Sequence, residues 1–157
     1  CEVIVGGLED VPDAERFDTV LYVDVLEHID DDRAEIERAV ARLARGGSLV
    51  VLAPAHPWLF TPFDAAIGHF RRYTKQSLER LMPAGVERRV LRYLDAAGML
   101  ATTGNRLLLK RSVPTRRQIA VWDRALVPCS RVADPLLGYR IGKSVLGVWR
   151  RTGEDAT

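Results

Sequence analysis

Three histidines, two neighbouring carboxylates and a pair of arginines hold most of the chemistry available in this sequence. Asp24, Glu27 and His28 fall together in the stretch Phe17–Ile29, FDTVLYVDVLEHI, and His56 and His69 come further along. Imidazole is the side chain best placed to take or release a proton near neutral pH, so His56 and His69 are candidate catalytic residues. The three histidines stand 28 and 13 residues apart with no cysteine close by. That is not the spacing of a metal-ligand set, and no metal is expected. A carboxylate at Asp24 suits a positively charged ligand, whereas Glu27 reads as a solvated loop charge. Arg71 and Arg72 carry the donors to clamp a phosphate or carboxylate, or stand as a solvated pair. Trp58, Phe60, Phe63, Phe70 and Tyr73 offer surface for a pocket, or for packing a long loop onto a sheet.

These groups need elements to position them. Thr19–Val23 is Val/Leu/Tyr-rich and nearly continuous, as expected of a strand covered on both faces. Asp30, Asp31 and Asp32 open a helix, Asp32 with Glu35 matching a capping box. Ile36, Val40 and Leu43 give that helix one apolar stripe, and Gly46-Gly47 is expected to stop it after Arg45. Ser48–Ala53, SLVVLA, is a second buried strand closed by Pro54. Strand, helix and strand make a βαβ unit, so the two strands should run parallel with a right-handed crossover. Asp24 and His56 would then open onto one shared crevice, since ligands in open α/β sheets sit outside the carboxyl ends of the strands.

Other elements read less sharply. Glu2–Val5 predicts a short strand before a Gly6-Gly7 turn. Residues 54–73 form a long connection of the kind that is usually functional. Thr74 caps a helix to about Met82, Glu87–Arg92 reads as a strand, and residues 94–110 look helical with a break near Gly104-Asn105. Pro114 starts a further helix containing Ile119, Trp122 and Leu126, and Pro128 and Pro135 interrupt the chain beyond it. Ser144–Trp149 is a closing strand, and residues 152–157 are expected to be a disordered tail.

The chain has 157 residues, 47% of them apolar, enough for one domain with a sizeable core. Its net charge of +2 conceals an asymmetry. Residues 1–68 hold 5 Lys/Arg against 14 Asp/Glu, and residues 69–157 hold 18 against 7. The basic half suits an anionic partner, or meets the acidic half within the fold or in a homodimer. The arginines lack the aromatic interleaving of a nucleic-acid groove, so no nucleic acid is expected. Two distant cysteines, Cys1 and Cys129, give no disulfide framework, which makes a cytoplasmic location the expectation.

The motifs FDTVLYVDVLEHI, LARGGSLVVLAPAHP and GHFRRYTKQSLERLM, in this order, resemble the class I S-adenosylmethionine-dependent methyltransferases. The resemblance covers most of residues 1–150 and is weakest across 100–143. It implies an α/β fold with a Rossmann-like methyltransferase sheet of strand order 3-2-1-4-5-7-6, mostly parallel with the last strand antiparallel. Glu2–Val5 would be strand 3, Thr19–Val23 strand 4, Ser48–Ala53 strand 5, Glu87–Arg92 strand 6 and Ser144–Trp149 strand 7. Strands 1 and 2, with the glycine-rich cofactor loop and the acid that holds the ribose, have no match. Residues 1–151 therefore read as the N-terminally truncated, C-terminal part of a single methyltransferase domain, inactive alone.

The same resemblance implies S-adenosyl-L-methionine as cofactor, with Gly7, Leu8, Tyr22, Val23, Asp24, Val25 and His28 as its binding residues. Gly7 stands where many members have an acid for the adenine amino group. His56 and His69 would lie nearer the methyl acceptor as catalytic residues, and Trp58, Phe60, Arg71, Arg72 and Tyr73 would bind it. The acceptor would be a small or lipid-linked molecule, with peripheral contact to an anionic membrane surface left open. The competing expectation is a non-catalytic, methyltransferase-like interaction module that docks through its basic half.

Overall fold

Thr19–Val23 and Ser48–Ala53 lie side by side and point the same way. In the computed structural model, which describes residues 3, 5–108 and 122–153, they are parts of β1 (Phe17–Val23) and β2 (Leu43–Pro54). Tyr22 sits opposite Val51 and Val23 opposite Leu52 in a parallel ladder. Two further strands, β3 (Val86–Leu94) and β4 (Ser144–Arg151), complete a sheet of order β1-β2-β4-β3. β4 runs antiparallel to both neighbours, so β1, β2 and β3 all end at the same rim. This is the order 4-5-7-6 that the family resemblance implied, with the closing strand reversed.

The sheet buries one face. Val20 and Tyr22, Leu49 and Val51, Val145 and Trp149, and Leu91 and Tyr93 alternate inward, as the period of two requires. Helix α1 (Asp32–Ala41) lays Ile36, Ala39 and Val40 on that face, and Leu78 comes from α3 (Lys75–Glu79). On the opposite face of β1, Leu21 and Val23 are 63% and 51% exposed.

Several boundaries differ from expectation for local reasons. Asp31, not Asp32, caps α1, because its carboxylate takes the Ala34 amide at 3.1 Å. The helix ends at Ala41, and the chain enters β2 at Leu43. Gly46-Gly47 therefore serves a bulge. Between the pairs Phe17–Leu43 and Thr19–Ser48 β2 carries extra residues, Gly46 turns through φ +75°, and a Cβ on Gly47 would lie 3.0 Å from the Phe17 carbonyl oxygen. The expected strand Glu2–Val5 is not seen among the described residues: Val3 and Val5 are exposed and unpaired, and the rest lies outside them. The helix α2 (Pro62–Ala66) and a 3-10 turn at Pro57–Leu59 lie inside the connection expected to lack regular structure.

Towards the C-terminus, α4 (Ala96–Leu108) runs through Gly104-Asn105 without a break. The helix expected from Pro114, with Ile119, lies outside the described residues as far as residue 121. Trp122–Leu126 form a π-helical turn that leads into α5 (Val127–Leu136). Pro128 occupies the first turn of α5, where its missing N–H costs nothing. Thr152 is tied down, its amide and hydroxyl both donating to the Gly85 carbonyl at 2.8 and 3.0 Å. The remainder of the expected tail, residues 154–157, lies outside the description. No described helix is long and apolar enough to cross a membrane.

Gly147 leaves the space that Trp149 occupies. A Cβ there would stand 2.0 Å from the indole edge, and the ring is buried against Leu49 with nowhere to swing. Gly147→Ala is expected to lower unfolding stability by about 1–3 kcal/mol through overpacking, read as a lower urea midpoint at an unchanged slope.

Candidate functional site

Three strand exits share an uncommon backbone conformation. Asp24 after β1, His56 after β2 and Asp95 after β3 have φ of 52°, 63° and 65°. Non-glycine residues at positive φ cost about 1–3 kcal/mol each and gather at functional sites. Here they turn the chain sharply at the common rim. The Asp24 amide donates to Leu52 O at 2.9 Å and the His56 amide to Tyr73 O at 2.8 Å, so both exits are fixed to neighbouring backbone.

The connection after β2 then folds back over the turn after β1. The Phe70 amide donates to Glu27 O at 2.8 Å. Arg71 donates to the Ile29 and Asp30 carbonyls and pairs with Asp32 at 2.8 Å. The Tyr73 hydroxyl donates to Asp32 at 2.8 Å, with Leu26 O 3.2 Å from the same oxygen. Burial, then the Asp32 carboxylate beside it, push the Tyr73 phenol far above its ordinary pKa. Arg71 and Tyr73 were expected to meet substrate. Their side chains instead stitch two loops together, and Tyr73 is buried.

Asp64 is the hub of this stitching. One carboxylate oxygen takes Arg72 at 2.7 Å and His69 Nδ1 at 3.0 Å. The other accepts from the Thr61 amide and hydroxyl at 2.8 and 2.7 Å. Burial works against the charge of Asp64, but the Thr61 donors and the Arg72 guanidinium outweigh it and hold its pKa below the usual carboxylate range. Arg72, another expected substrate residue, is spent on this carboxylate and on Ala55 O. Nothing in the charge pattern marked Asp64. Its only sequence signal was Thr61 three residues before it, a capping box at the start of α2.

Of the residues expected to act on protons, His56 is half-buried. Its Nε2 lies 3.0 Å from Gly142 O, an acceptor, so Nε2 carries the proton and Nδ1 keeps its lone pair. The ring stacks on Tyr93 at 4.6 Å with Trp58 beyond it at 5.9 Å. Burial lowers the His56 pKa, the Gly142 hydrogen bond partly offsets this, and Arg72 adds to the lowering. Gly142 can approach so closely because it lacks a Cβ, which would fall 2.2 Å from Leu94 O.

His69 is held at the opposite side of the rim with Glu27 and His28. Glu27 is fully buried, and neither of its oxygens has a hydrogen-bond partner among the described residues. Burial pushes its carboxyl up and the Asp24 charge adds to the effect, while its own backbone amide, then His69 and His28, oppose it. His69 Nε2 stands 3.8 Å from a Glu27 oxygen, and the two imidazole centroids are 4.6 Å apart. Glu27 thus sits inside the site and not in solvent. The expectation that the histidines lack metal-ligand geometry came from spacing along the chain. The fold instead places ligand atoms of Glu27, His28 and His69 within 4.8 Å of one another.

The residues expected to hold a cofactor divide in two. Asp24 is exposed at the rim, with its carboxylate in no hydrogen bond or ion pair to another described residue, flanked by Val23 and by Val25 at 43% exposure. A lone carboxylate beside an apolar shoulder suits a ligand that carries a positive charge next to an apolar part. Tyr22 does not face that space, since its hydroxyl donates inward to Glu35 at 2.5 Å. Gly7 lies in an exposed turn, its amide on Asp10 at 2.9 Å, and Leu8 packs against the core. Trp58 and Phe70 are about half exposed near the rim, and Phe60 is partly buried.

No family model and no curated protein matches this sequence. Solved structures do. The chain superposes on the N-methyltransferase NodS from Bradyrhizobium japonicum, crystallised with S-adenosyl-L-homocysteine, with TM-score 0.50 and 13% identity over 93% of this chain and 52% of that one. A Haloferax volcanii protein solved in complex with the Trm112 methyltransferase activator gives 0.56 and 13%, over 98% and 62%. The [4+2]-cyclase SpnF gives 0.50 and 17%, over 88% and 50%. The chain spans between half and two thirds of the length of these proteins.

Asp64→Ala would strand the buried Arg72 guanidinium and release His69. The expected loss is about 3–5 kcal/mol of unfolding stability, measured by urea denaturation, with Asp30→Ala on the exposed end of Arg71 changing it by less than about 1 kcal/mol. With these superpositions, and a sheet order and strand directions as the resemblance implies, the chain has the fold of the class I S-adenosylmethionine-dependent methyltransferases.

Proposed function

We propose that this chain is the C-terminal part of an S-adenosylmethionine-dependent methyltransferase that acts on a small or lipid-linked acceptor. The observation that carries the reading is the rim itself. Asp24 and His56 leave adjacent parallel strands on left-handed backbone at the same rim of the sheet. S-adenosylmethionine, when bound, supplies a methyl group on a positively charged sulfur. Asp24 would meet that positive charge, with Val23 and Val25 giving apolar cover. Trp58 and Phe70 would exclude water on the acceptor side, and alignment with dryness is most of what such a displacement requires. His56, with Nδ1 unprotonated, would take a proton from an acceptor that must lose one.

The exposed Leu21 and Val23 on the outer face of β1, and the absence of a second partner for β1 among the described residues, support the view that further strands pack there. The glycine-rich loop and ribose acid of the family would come from that part. The second reading is a methyltransferase-like interaction module. The basic C-terminal half favours it, and the likeness to a [4+2]-cyclase is a reminder that the fold does not dictate methyl transfer. A partner protein, as in the Trm112 complex, is compatible with either reading.

Calorimetric titration of S-adenosylhomocysteine into this chain and into an N-terminally extended version separates the two. The extended protein is expected to bind, this chain weakly or not at all, and Asp24→Ala to weaken the extended protein at least about tenfold. No binding by the extended protein would turn the assignment toward the interaction module. For catalysis, a lowered His56 pKa keeps the ring neutral to lower pH. The acidic limb of kcat/KM should therefore break below the ordinary histidine value of about 6.5, and it should vanish in His56→Gln.

A further inference from the structure

The cluster at the exit of β1 has chemistry that methyl transfer does not use. We propose that Glu27, His28 and His69 form a binding site for one divalent transition-metal ion of the zinc type. Their ligand atoms all lie within 4.8 Å of one another. Ligands around one tetrahedral ion at ~2.0–2.1 Å stand about 3.3 Å apart, so closing the site needs movements of about an ångström. The donor set, two imidazole nitrogens and one carboxylate, is one that zinc and related first-row ions favour.

Two independent features point to a cation. The first is Glu27, fully buried with both oxygens unpartnered and one of them 3.8 Å from His69 Nε2. A buried carboxylate without a side-chain partner is costly to ionise, and a bound cation offsets that cost. The second is the orientation of the imidazoles. Asp64 holds His69 Nδ1 at 3.0 Å and Gly68 O holds His28 Nδ1 at 3.2 Å. An ionised carboxylate and a carbonyl accept only, so both rings carry their proton on Nδ1 and offer Nε2 as a bare donor nitrogen. Second-shell carboxylates and carbonyls that fix the tautomer in this way are a recurrent feature of histidine metal sites. With the Glu27 carboxyl ionised and both rings neutral, as metal binding requires, the three groups would turn electron pairs to one point.

His28 is exposed, so the ion keeps at least one open side facing solvent at the rim. That open position suits water or an oxygen of a bound molecule. The site stands on these residues alone and does not depend on the methyltransferase reading.

The test is titration of Zn²⁺ into the metal-stripped full chain against a chromophoric chelator, with Co²⁺ absorption as a second readout. One equivalent is expected to bind, with visible d–d bands from Co²⁺ and a raised unfolding temperature. His28→Gln, His69→Gln and Glu27→Gln should each weaken Zn²⁺ at least tenfold. His56→Gln, a histidine outside the cluster, should leave affinity unchanged. His28 is the safest of the three to replace because its side chain is exposed, so a folded His28→Gln protein, checked by circular dichroism, decides the matter if Glu27→Gln unfolds. Equal Zn²⁺ affinity in wild type and His28→Gln would overturn the proposal, as would a loss in His56→Gln as large as in the cluster variants.

Discussion

Everything at the rim depends on the parallel pairing of β1 with β2. A parallel pair puts both carboxyl-terminal ends on one side, and the register from Thr19–Ser48 to Val23–Leu52 sets them level. The Asp24 amide extends that ladder by one more hydrogen bond before the chain turns. A slip of one residue would send Tyr22 and Val51 to the open face and take Leu26 and Glu27 away from the core. The bulge around Gly46-Gly47 is what reconciles this register with the end of α1. It lets Leu43 enter the core early without shifting Ser48 from its partner.

With that register fixed, the connection after β2 has a surface to fold onto. Its contacts are mainly hydrogen bonds to backbone: Arg71 to two carbonyls, Tyr73 to another, His28 to Gly68 O. A loop of this length would ordinarily cost entropy and gain little. Asp64 changes the balance by satisfying three partners from one buried carboxylate, and Leu59 adds apolar burial beneath it. The outcome is a rim with rigid walls whose exposed parts are Asp24, Val25, Trp58 and Phe70.

Most of the sheet was legible in the sequence, and the reason is hydrophobic periodicity. TVLYV and SLVVLA are apolar, β-branched and short, and the intervening helix forces a parallel pair. The order of the last two strands was readable only through the family resemblance, because antiparallel insertion of β4 leaves no local mark. The helix stop was misplaced because Gly-Gly has the same signature at a C-cap and in a bulge. What decided between them was Leu43, whose burial in the core is a tertiary fact. The strand expected at Glu2–Val5 shows the opposite error. Its composition suits a strand, but composition supplies no neighbour, and no described strand pairs with Val3 or Val5.

The site was less legible, and the failure has one physical form. Arg71, Arg72 and Tyr73 looked like ligand-binding groups because their donors were countable in the sequence while their acceptors were not. Ile29 O, Asp30 O, Leu26 O and Asp64 lie 8 to 47 residues away in sequence and accept hydrogen bonds from these side chains. Glu27 is the mirror case. It looked like a solvated charge because three acidic residues come soon after it, yet the turn Leu26–His28 directs it inward and the Phe70 amide fixes its backbone there. A charged residue next to two residues that the fold buries, Leu26 and the aromatic Tyr73 above it, has no route back to water. Burial then pushes its carboxyl up, and the fold brings the nitrogens of His28 and His69 within 4.8 Å of it.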